Sequence, residues 1–219
     1  MIHLNENDIS YLDSILTLPH TKPVSHEVLK QIPQNDLSLW CLKNGYYQIP
    51  SIQLIHYLRS HIDDWSISEN IAIEIGAGNG CIGRSLGIPI TDNCLQERKD
   101  IAEYYAILNQ PATPYPKDIV RLKAEDAIRE YKPNIVIGCW ITEKKAGGLS
   151  IGAIEGPDED FIMSYPTVKK YILVGNLRTH GNKSLLKDEG YKHTILQPEW
   201  LYSRSLYRQD NCIIIFEKS

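Results

Sequence analysis

One stretch brings together residue types that chemistry can use: Glu74-Ile75-Gly76-Ala77-Gly78-Asn79-Gly80. Glycine turns through backbone angles closed to other residues and lets the chain lie against a ligand with no side chain between. The apolar run from Ile71 to Ile75 reads as a buried strand, and Cys81 to Leu86 as a short helix. That order puts free backbone N–H groups and a helix N-terminus at the carboxyl edge of a sheet, where open α/β sheets bind nucleotides. The glycines fit two registers. Gly78, Gly80 and Gly83 spell G-x-G-x-x-G, the dinucleotide fingerprint, but this register starts three residues past the strand, whereas the fingerprint's turn follows its strand at once. In the other register Glu74 is followed by Gly76, Gly78 and Gly80, and a carboxylate there suits a cationic ligand and repels a pyrophosphate. A turn that only joins strand to helix is the third reading.

In the second register the chain resembles the class I methyltransferases, which use S-adenosylmethionine. The resemblance covers about residues 45–219 and implies that Glu74 faces the methionine end of the cofactor while Gly76, Ala77, Gly78 and Gly80 pass under the ribose. It also implies a ribose-binding carboxylate at the end of the second strand. Asp92 matches it, although only twelve positions past Gly80, closer than is usual in the family; its other reading is a cap for the next helix. Asp126 matches the acidic residue that meets the adenine amino group, and Ala127 the neighbouring backbone N–H. Asp126 equally suits a first helical turn. Tyr47 and Gln48 match the segment that touches the methionine tail, while the pair Tyr46-Tyr47 also suits packing of the N-terminal helices on the sheet. Cys139-Trp140-Ile141-Thr142 stands where the family places residues nearest the transferred methyl. Trp140 fits an aromatic wall beside the sulfonium, or the core. The string is not N-P-P-Y, which argues against transfer to a base amino group by that scheme, and a covalent attack on cytosine C5 lacks its P-C motif. Cys139 reads as a small buried apolar residue.

The elements that must position these residues alternate strand and helix, the mark of a parallel sheet. The expected architecture is α/β: a Rossmann-like, seven-stranded, mostly parallel sheet with an antiparallel terminal pair, plus N-terminal helices. Expected strands are 71–75, 88–91, 119–122, 135–141, 170–174, 193–196 and 211–216, the last two joined too closely for a helical crossover. Helical spacing marks 5–18, 25–31 capped by Ser25, 36–42 ending at Asn44-Gly45, and 52–62 capped by Ser51. A helix over 95–109 has Leu95, Ala102, Tyr105 and Leu108 available to cover the sheet, and further helices are expected over 158–165 and 183–189. Pro111, Pro114 and Pro116 stiffen one loop, and four glycines mark a long loop over 143–157. Two parts follow: a helical extension over 1–65 packed on the core, and a cofactor-binding domain over 66–219.

A length of 219 residues with 42% apolar content bounds the chain to one α/β domain with a small addition. No apolar run is long enough to span a bilayer and no basic-then-apolar leader is present, so a cytoplasmic protein without a membrane partner is expected. Five scattered cysteines without a C-x-x-C pair fit a reducing compartment rather than structural zinc or disulfides. A formal charge of −4 argues against a partner held mainly through phosphates. His56 and His61 do not share a helix face, make a poor metal pair, and are expected at the surface.

Methyl transfer is an in-line displacement in which the protein aligns donor and acceptor and excludes water. A base is needed only when the acceptor keeps its proton. Asn176, His180, Glu155, Asp158, Glu159 and Glu199 are near enough in the expected order to serve, but they form no triad or metal cluster, and the catalytic residue stays unassigned. The loop 143–157 and the segment 198–208, with Trp200, Tyr202, Arg204, Tyr207 and Arg208, are expected on the acceptor side, for a small molecule, protein or nucleic acid. Three functions remain open: an S-adenosylmethionine-dependent methyltransferase, a silent S-adenosylmethionine or nucleoside-binding module, and an NAD-dependent oxidoreductase.

Overall fold

The computed structural model describes residues 9–16, 22–62, 71–107, 109–144 and 155–218. Nine strands are found there: β1 (Gln48–Ile49), β2 (Ala72–Ile75), β3 (Thr91–Asp92), β4 (Val120–Arg121), β5 (Ile135–Cys139), β6 (Lys170–Asn176), β7 (Tyr191–Leu196), β8 (Tyr202–Ser203) and β9 (Asn211–Lys218). The main helices are α1 (His26–Leu29), α2 (Gln34–Lys43), α3 (Ile52–Ile62), α4 (Cys81–Leu86), α5 (Lys99–Ile107) and α6 (Ala124–Tyr131). The central sheet has the order β2-β5-β6-β9-β7, with β2, β5 and β6 parallel and β9 antiparallel to both of its neighbours.

Alternation along each strand builds both faces at once. Ala72, Ile135, Ile137, Ile172, Val174, Ile213 and Ile215 pack with α3 and α4, while Ile73, Ile75, Val136, Tyr171, Leu173, Ile214 and Phe216 pack with α6 and with the helix Glu159–Ser164. The parallel strands are apolar on both faces because both are covered. Glu74 breaks the pattern. It occupies the α3/α4 side of β2, where an apolar residue belongs, and is buried there.

The single seven-stranded sheet expected from the alternation divides into five strands and a separate parallel pair, β3-β4. An isolated bridge between Glu74 and Ile90 ties the pair to β2, with Glu74 N–H donating to Pro89 O (3.0 Å) and Ala77 N–H to Thr91 O (3.0 Å). Pro89 cannot donate, which keeps the ladder short. The antiparallel terminal pair is β7–β9.

The N-terminal residues form their own cluster from Leu12, Leu16, Leu29, Leu37, Trp40 and Tyr46, joined by Ile49 of β1 and Tyr202 of β8. Ser25 caps α1 through Val28 N–H and Ser51 caps α3 through Leu54 N–H, as their positions predict. The expected helix over 5–18 is, in its described part, a 3-10 turn over Ser10–Ser14, and the rest of that expectation lies outside the described residues. The expected helix over 95–109 is broken at Arg98, whose extended backbone (ψ 135°) separates a 3-10 turn from α5. α5 buries Ile101 alone, so it does not cover the sheet. Among the described residues the segment expected as a helix over 183–189 is a 3-10 turn, Ser184–Lys187. His56 is exposed as expected, but His61 is half-buried against Tyr57 and within 3.2 Å of Lys170 Nζ.

Candidate functional site

A cavity of about 770 Å3 opens at the carboxyl edge of β2 and β5, within the range of small-molecule and cofactor sites. Its floor is the turn after β2. Gly76, Gly78 and Gly80 are all left-handed, with φ of +56°, +55° and +69°. A Cβ on Gly76 would stand 2.5 Å from Ile141 Cγ2, so only glycine fits there. Gly76, Ala77 and Gly78 line the cavity, whereas Gly80 turns toward Ile90 and starts α4.

Gly83 bears on the choice between the two registers. A Cβ on it would lie 2.7 Å from Glu74 Oε2 and 2.5 Å from Ile90 Cγ2, so this glycine makes room for a carboxyl group rather than for a phosphate. Gly83 N–H donates to Glu74 Oε2 (2.8 Å) and Cys81 N–H to Asn79 Oδ1 (3.0 Å). Side chains of the chain itself thus occupy amides at the start of α4, the place where a dinucleotide fold holds its pyrophosphate. Glu74 is 1% exposed, and burial pushes its carboxyl up to about 8, against the Gly83 N–H and with help from nearby Asp92. A cation in the cavity would restore the ionised form.

Asp92 stands directly beside this turn. Its Oδ2 accepts Gly78 N–H (2.9 Å) and its Oδ1 accepts Cys94 N–H (2.6 Å), the latter closing an Asx turn. Burial raises its pKa, opposed by those two amides and by Tyr115. The short interval from Gly80 therefore holds the two segments together: α4 has only six residues. Each Asp92 oxygen keeps acceptor capacity for a further donor.

The far end is more open. Asp126 lines the cavity but is exposed and bonds Arg129 (2.8 Å). Ala127 does not reach it, because its N–H donates to Lys123 O (2.9 Å) and its methyl lies in the core. Helix α6 starts without a side-chain cap, so the amides of Ala124, Glu125 and Asp126 lack helical partners, and these residues line the cavity.

Another part of the lining is aromatic. Tyr47 and Trp140 stand 6.1 Å apart at 48°, and Tyr47 Oη lies 3.4 Å from Tyr105 Oη. Trp140 ends β5 with a left-handed backbone (φ +58°), held by its N–H donating to Val174 O (2.8 Å). Its indole N–H donates to Gln48 Oε1 (3.1 Å). The lining also includes Thr113 and Tyr115 of the proline loop and Arg204. Sequence reasoning did not single out Thr113 or Tyr115; the stiff proline spacing was the available signal.

Of the residues considered as bases, Glu199 is exposed and does not line the cavity, and the others are engaged elsewhere. His180 is buried, edge-on to Trp140 at 5.6 Å, with Asn176 N–H donating to its Nδ1 (3.0 Å). Burial, then Lys183, lowers its pKa to about 4, so the ring is neutral at pH 7. Asn176 caps the helix Leu177–His180 and bonds Asn211. Glu159 is paired with Lys183 (2.5 Å) and Tyr171 (2.8 Å) under the other sheet face. Asp158 caps its helix through Phe161 N–H, while Glu155 lies at the cavity rim paired with Arg98. Cys139 is held as the thiol, its pKa raised by burial and then by Glu74. Among the described residues no group of His, Cys, Asp and Glu is arranged to hold a metal ion, and no helix is long and apolar enough to cross a membrane.

No family model matches the chain, and no curated protein matches it. Among solved structures it is similar to methyltransferases. The 23S rRNA methyltransferase ErmE is 13% identical over 77% of this chain and 68% of its own, with a TM-score of 0.41. An rRNA methylase from Streptococcus thermophilus is 14% identical over 76% of this chain and 94% of its own (TM-score 0.41). The magnesium protoporphyrin IX methyltransferase ChlM from Synechocystis PCC 6803, solved with bound SAM, is 15% identical over 76% and 79% (TM-score 0.38).

Proposed function

We propose that the chain is an S-adenosylmethionine-dependent methyltransferase of the class I fold. The observation that carries this reading is Glu74, buried behind the glycine turn and bonded to the first turn of α4. With Asp92 in place and Glu74 ionising beside a bound cation, the crevice favours a nucleoside bearing positive charge over a pyrophosphate. The finer fold reading follows: the pair β3-β4, bridged to β2, continues the main sheet to seven strands in the order β4-β3-β2-β5-β6-β9-β7. Residues 1–65 are then an extension and 66–219 the cofactor domain.

The residues present fit such a cofactor. Asp92 would accept the ribose hydroxyls, and Gly76, Ala77 and Gly78 would pass beneath the sugar. Asp126 and the amides before Ala127 would meet the adenine. Glu74 and Gln48 would face the methionine part, and the buried, unpartnered amide nitrogen of Gln48 is a donor waiting for such a group. The bound cofactor would supply a methyl group on positively charged sulfur. The chain's own part is to fix the acceptor against Trp140 and Tyr47, keep water out, and place the attacking atom in line.

A second reading, a silent nucleoside-binding module, is favoured by the locked, neutral His180: among the described residues no freely placed base stands beside Trp140. Acceptors that have no proton to lose under working conditions need none. Thermal shift measures the first step. S-adenosylhomocysteine at a hundred times its dissociation constant should stabilise the chain by about 2.7 kcal/mol, and NAD should not. Stabilisation by NAD alone would overturn both readings. Release of S-adenosylhomocysteine from S-adenosylmethionine with an acceptor pool then separates enzyme from module.

A further inference from the structure

The segment 110–119, between α5 and β4, runs across the cavity above the glycine turn. It lies on two left-handed glycines from different parts of the chain. A Cβ on Gly45 (φ +69°) would stand 2.9 Å from Ala112 O and 3.0 Å from Pro114 Cδ, and one on Gly78 (φ +55°) would stand 3.2 Å from Thr113 Cγ2. Bare backbone at both places lets the segment settle onto them at once. Thr113 is buried there, its N–H donating to Gln96 Oε1 (2.8 Å) and its hydroxyl to Gly45 O (3.4 Å). Two positions on, Tyr115 packs against the small cluster of Ala77, Ile90, Cys94 and Ile119. Its hydroxyl accepts Gln96 N–H (3.4 Å) and donates to the Asp92 carboxylate, whose pKa it helps to hold down. Thr113 and Tyr115 line the same cavity as Gly78 and Asp92.

A carboxylate offers roughly four acceptor places. On Asp92 the Gly78 and Cys94 amides hold one place on each oxygen, and Tyr115 stands at a third. A ribose brings two hydroxyl donors, one more than the place that is left. The segment itself is fastened lightly: Pro111, Pro114 and Pro116 fix the backbone and have no N–H to donate, and α5 before it buries only Ile101.

We propose that 110–119 is a strap that competes with the nucleoside: Tyr115 holds the place on Asp92 that a ribose hydroxyl takes, Thr113 covers Gly78, and the nucleoside enters as the strap lifts. The proposal rests on the methyltransferase reading only for the identity of the nucleoside. Because lifting is uphill, apparent affinity is lowered by the fraction of molecules that are open.

Two measurements test the strap. Calorimetric titration of S-adenosylhomocysteine into the full chain and into Tyr115→Phe reads the competition. The ring stays and only the hydroxyl goes, so the variant should bind about two- to tenfold more tightly, with an unchanged or slightly lowered Tm. Binding by the variant alone would mark the strap as a complete block. Unchanged or weaker binding overturns the proposal, the weaker case making Tyr115 a partner of the ribose. Thiol labelling without ligand, mapped by peptide mass, reads the lifting. Cys94 is buried and packed with Tyr115, whereas Cys41 and Cys212 are buried in the N-terminal cluster and the central sheet. A strap that lifts by itself exposes Cys94 first, so its labelling should be about tenfold faster or more. Labelling of Cys94 no faster than that of Cys212 would mean that the segment opens only with the whole molecule, which overturns the proposal. If neither protein binds the nucleoside, the methyltransferase reading fails while the labelling still decides whether the strap lifts.

Discussion

The two walls of the cavity are built in opposite ways. On the glycine side the polar groups answer one another: both Asp92 oxygens and one Glu74 oxygen accept backbone N–H groups, and Asn79 takes another. On the aromatic side, among the described residues, the Gln48 amide nitrogen has no hydrogen-bond partner and Arg204 is stacked on Tyr47 without a carboxylate. Satisfied buried groups hold a backbone in place, whereas unsatisfied ones mark where a ligand completes the structure. The first wall is a fixed floor and the second is an incomplete one. Substitutions on the two walls should therefore fail differently, in stability on the floor and in binding opposite.

The largest loss of stability belongs to Gly83→Val. Its side chain would enter space held by Glu74 and Ile90, and overpacking of this kind costs about 1–3 kcal/mol, more where atoms meet as closely as here. Urea unfolding should show a lowered midpoint with nucleoside binding lost as well. A fully stable variant would mean that α4 moves freely, and the floor would not be fixed.

Glu74→Gln sharpens the comparison through pH. The folded pKa of about 8 lies above the unfolded value, so between the two the folded protein holds a proton that the unfolded chain has lost. Stability falls as pH rises through that window, and the deficit is complete above about 8. Glu74→Gln removes the deficit: near pH 5 the two proteins should differ little, while at pH 9 the variant should be more stable by several kcal/mol, on the order of 3–5. Unfolding curves at both pH values check it, and parallel pH profiles would contradict it. Binding of a cation beside Glu74 should release a proton between pH 5 and 8, so affinity for S-adenosylmethionine should rise across that range.

Asp92→Asn is the next step down. The amide keeps one acceptor oxygen, so one of the Gly78 and Cys94 amides loses its partner at a cost of about 1–3 kcal/mol. The smallest effect belongs to Asp126→Asn. The residue is exposed, and its i,i+3 pair with Arg129 contributes about 0.2–0.5 kcal/mol. Its melting temperature should hardly move, and S-adenosylhomocysteine should weaken severalfold at most.

Legibility in the sequence followed the range of the interactions. The glycine turn, the helix Cys81–Leu86 and the caps at Ser25 and Ser51 depend on neighbours a few residues away, and each stands where its local pattern puts it. Strands β5, β6 and β9 were legible because their apolar runs are covered on both faces. What depends on distant pairing was hidden. No local pattern joins Gln48 to Ser203, so the donor wall was invisible until β1 and β8 met. Leu95, Ala102 and Tyr105 have helical spacing, yet Arg98 breaks the run and α5 buries only Ile101. Ala127 matched a motif position, but the helical bond to Lys123 consumes its amide. His180 was a candidate base by its place in the chain and is instead enclosed by Asn176 and Trp140.

The central claim is that the fixed floor receives an adenosyl group bearing positive charge. Titration of S-adenosylmethionine into the full chain and into Asp92→Ala at neutral pH tests it most directly. The account predicts saturable binding at one site per chain, weakened at least a hundredfold in a variant that still folds. No saturable binding, or binding that Asp92→Ala leaves intact, would contradict it.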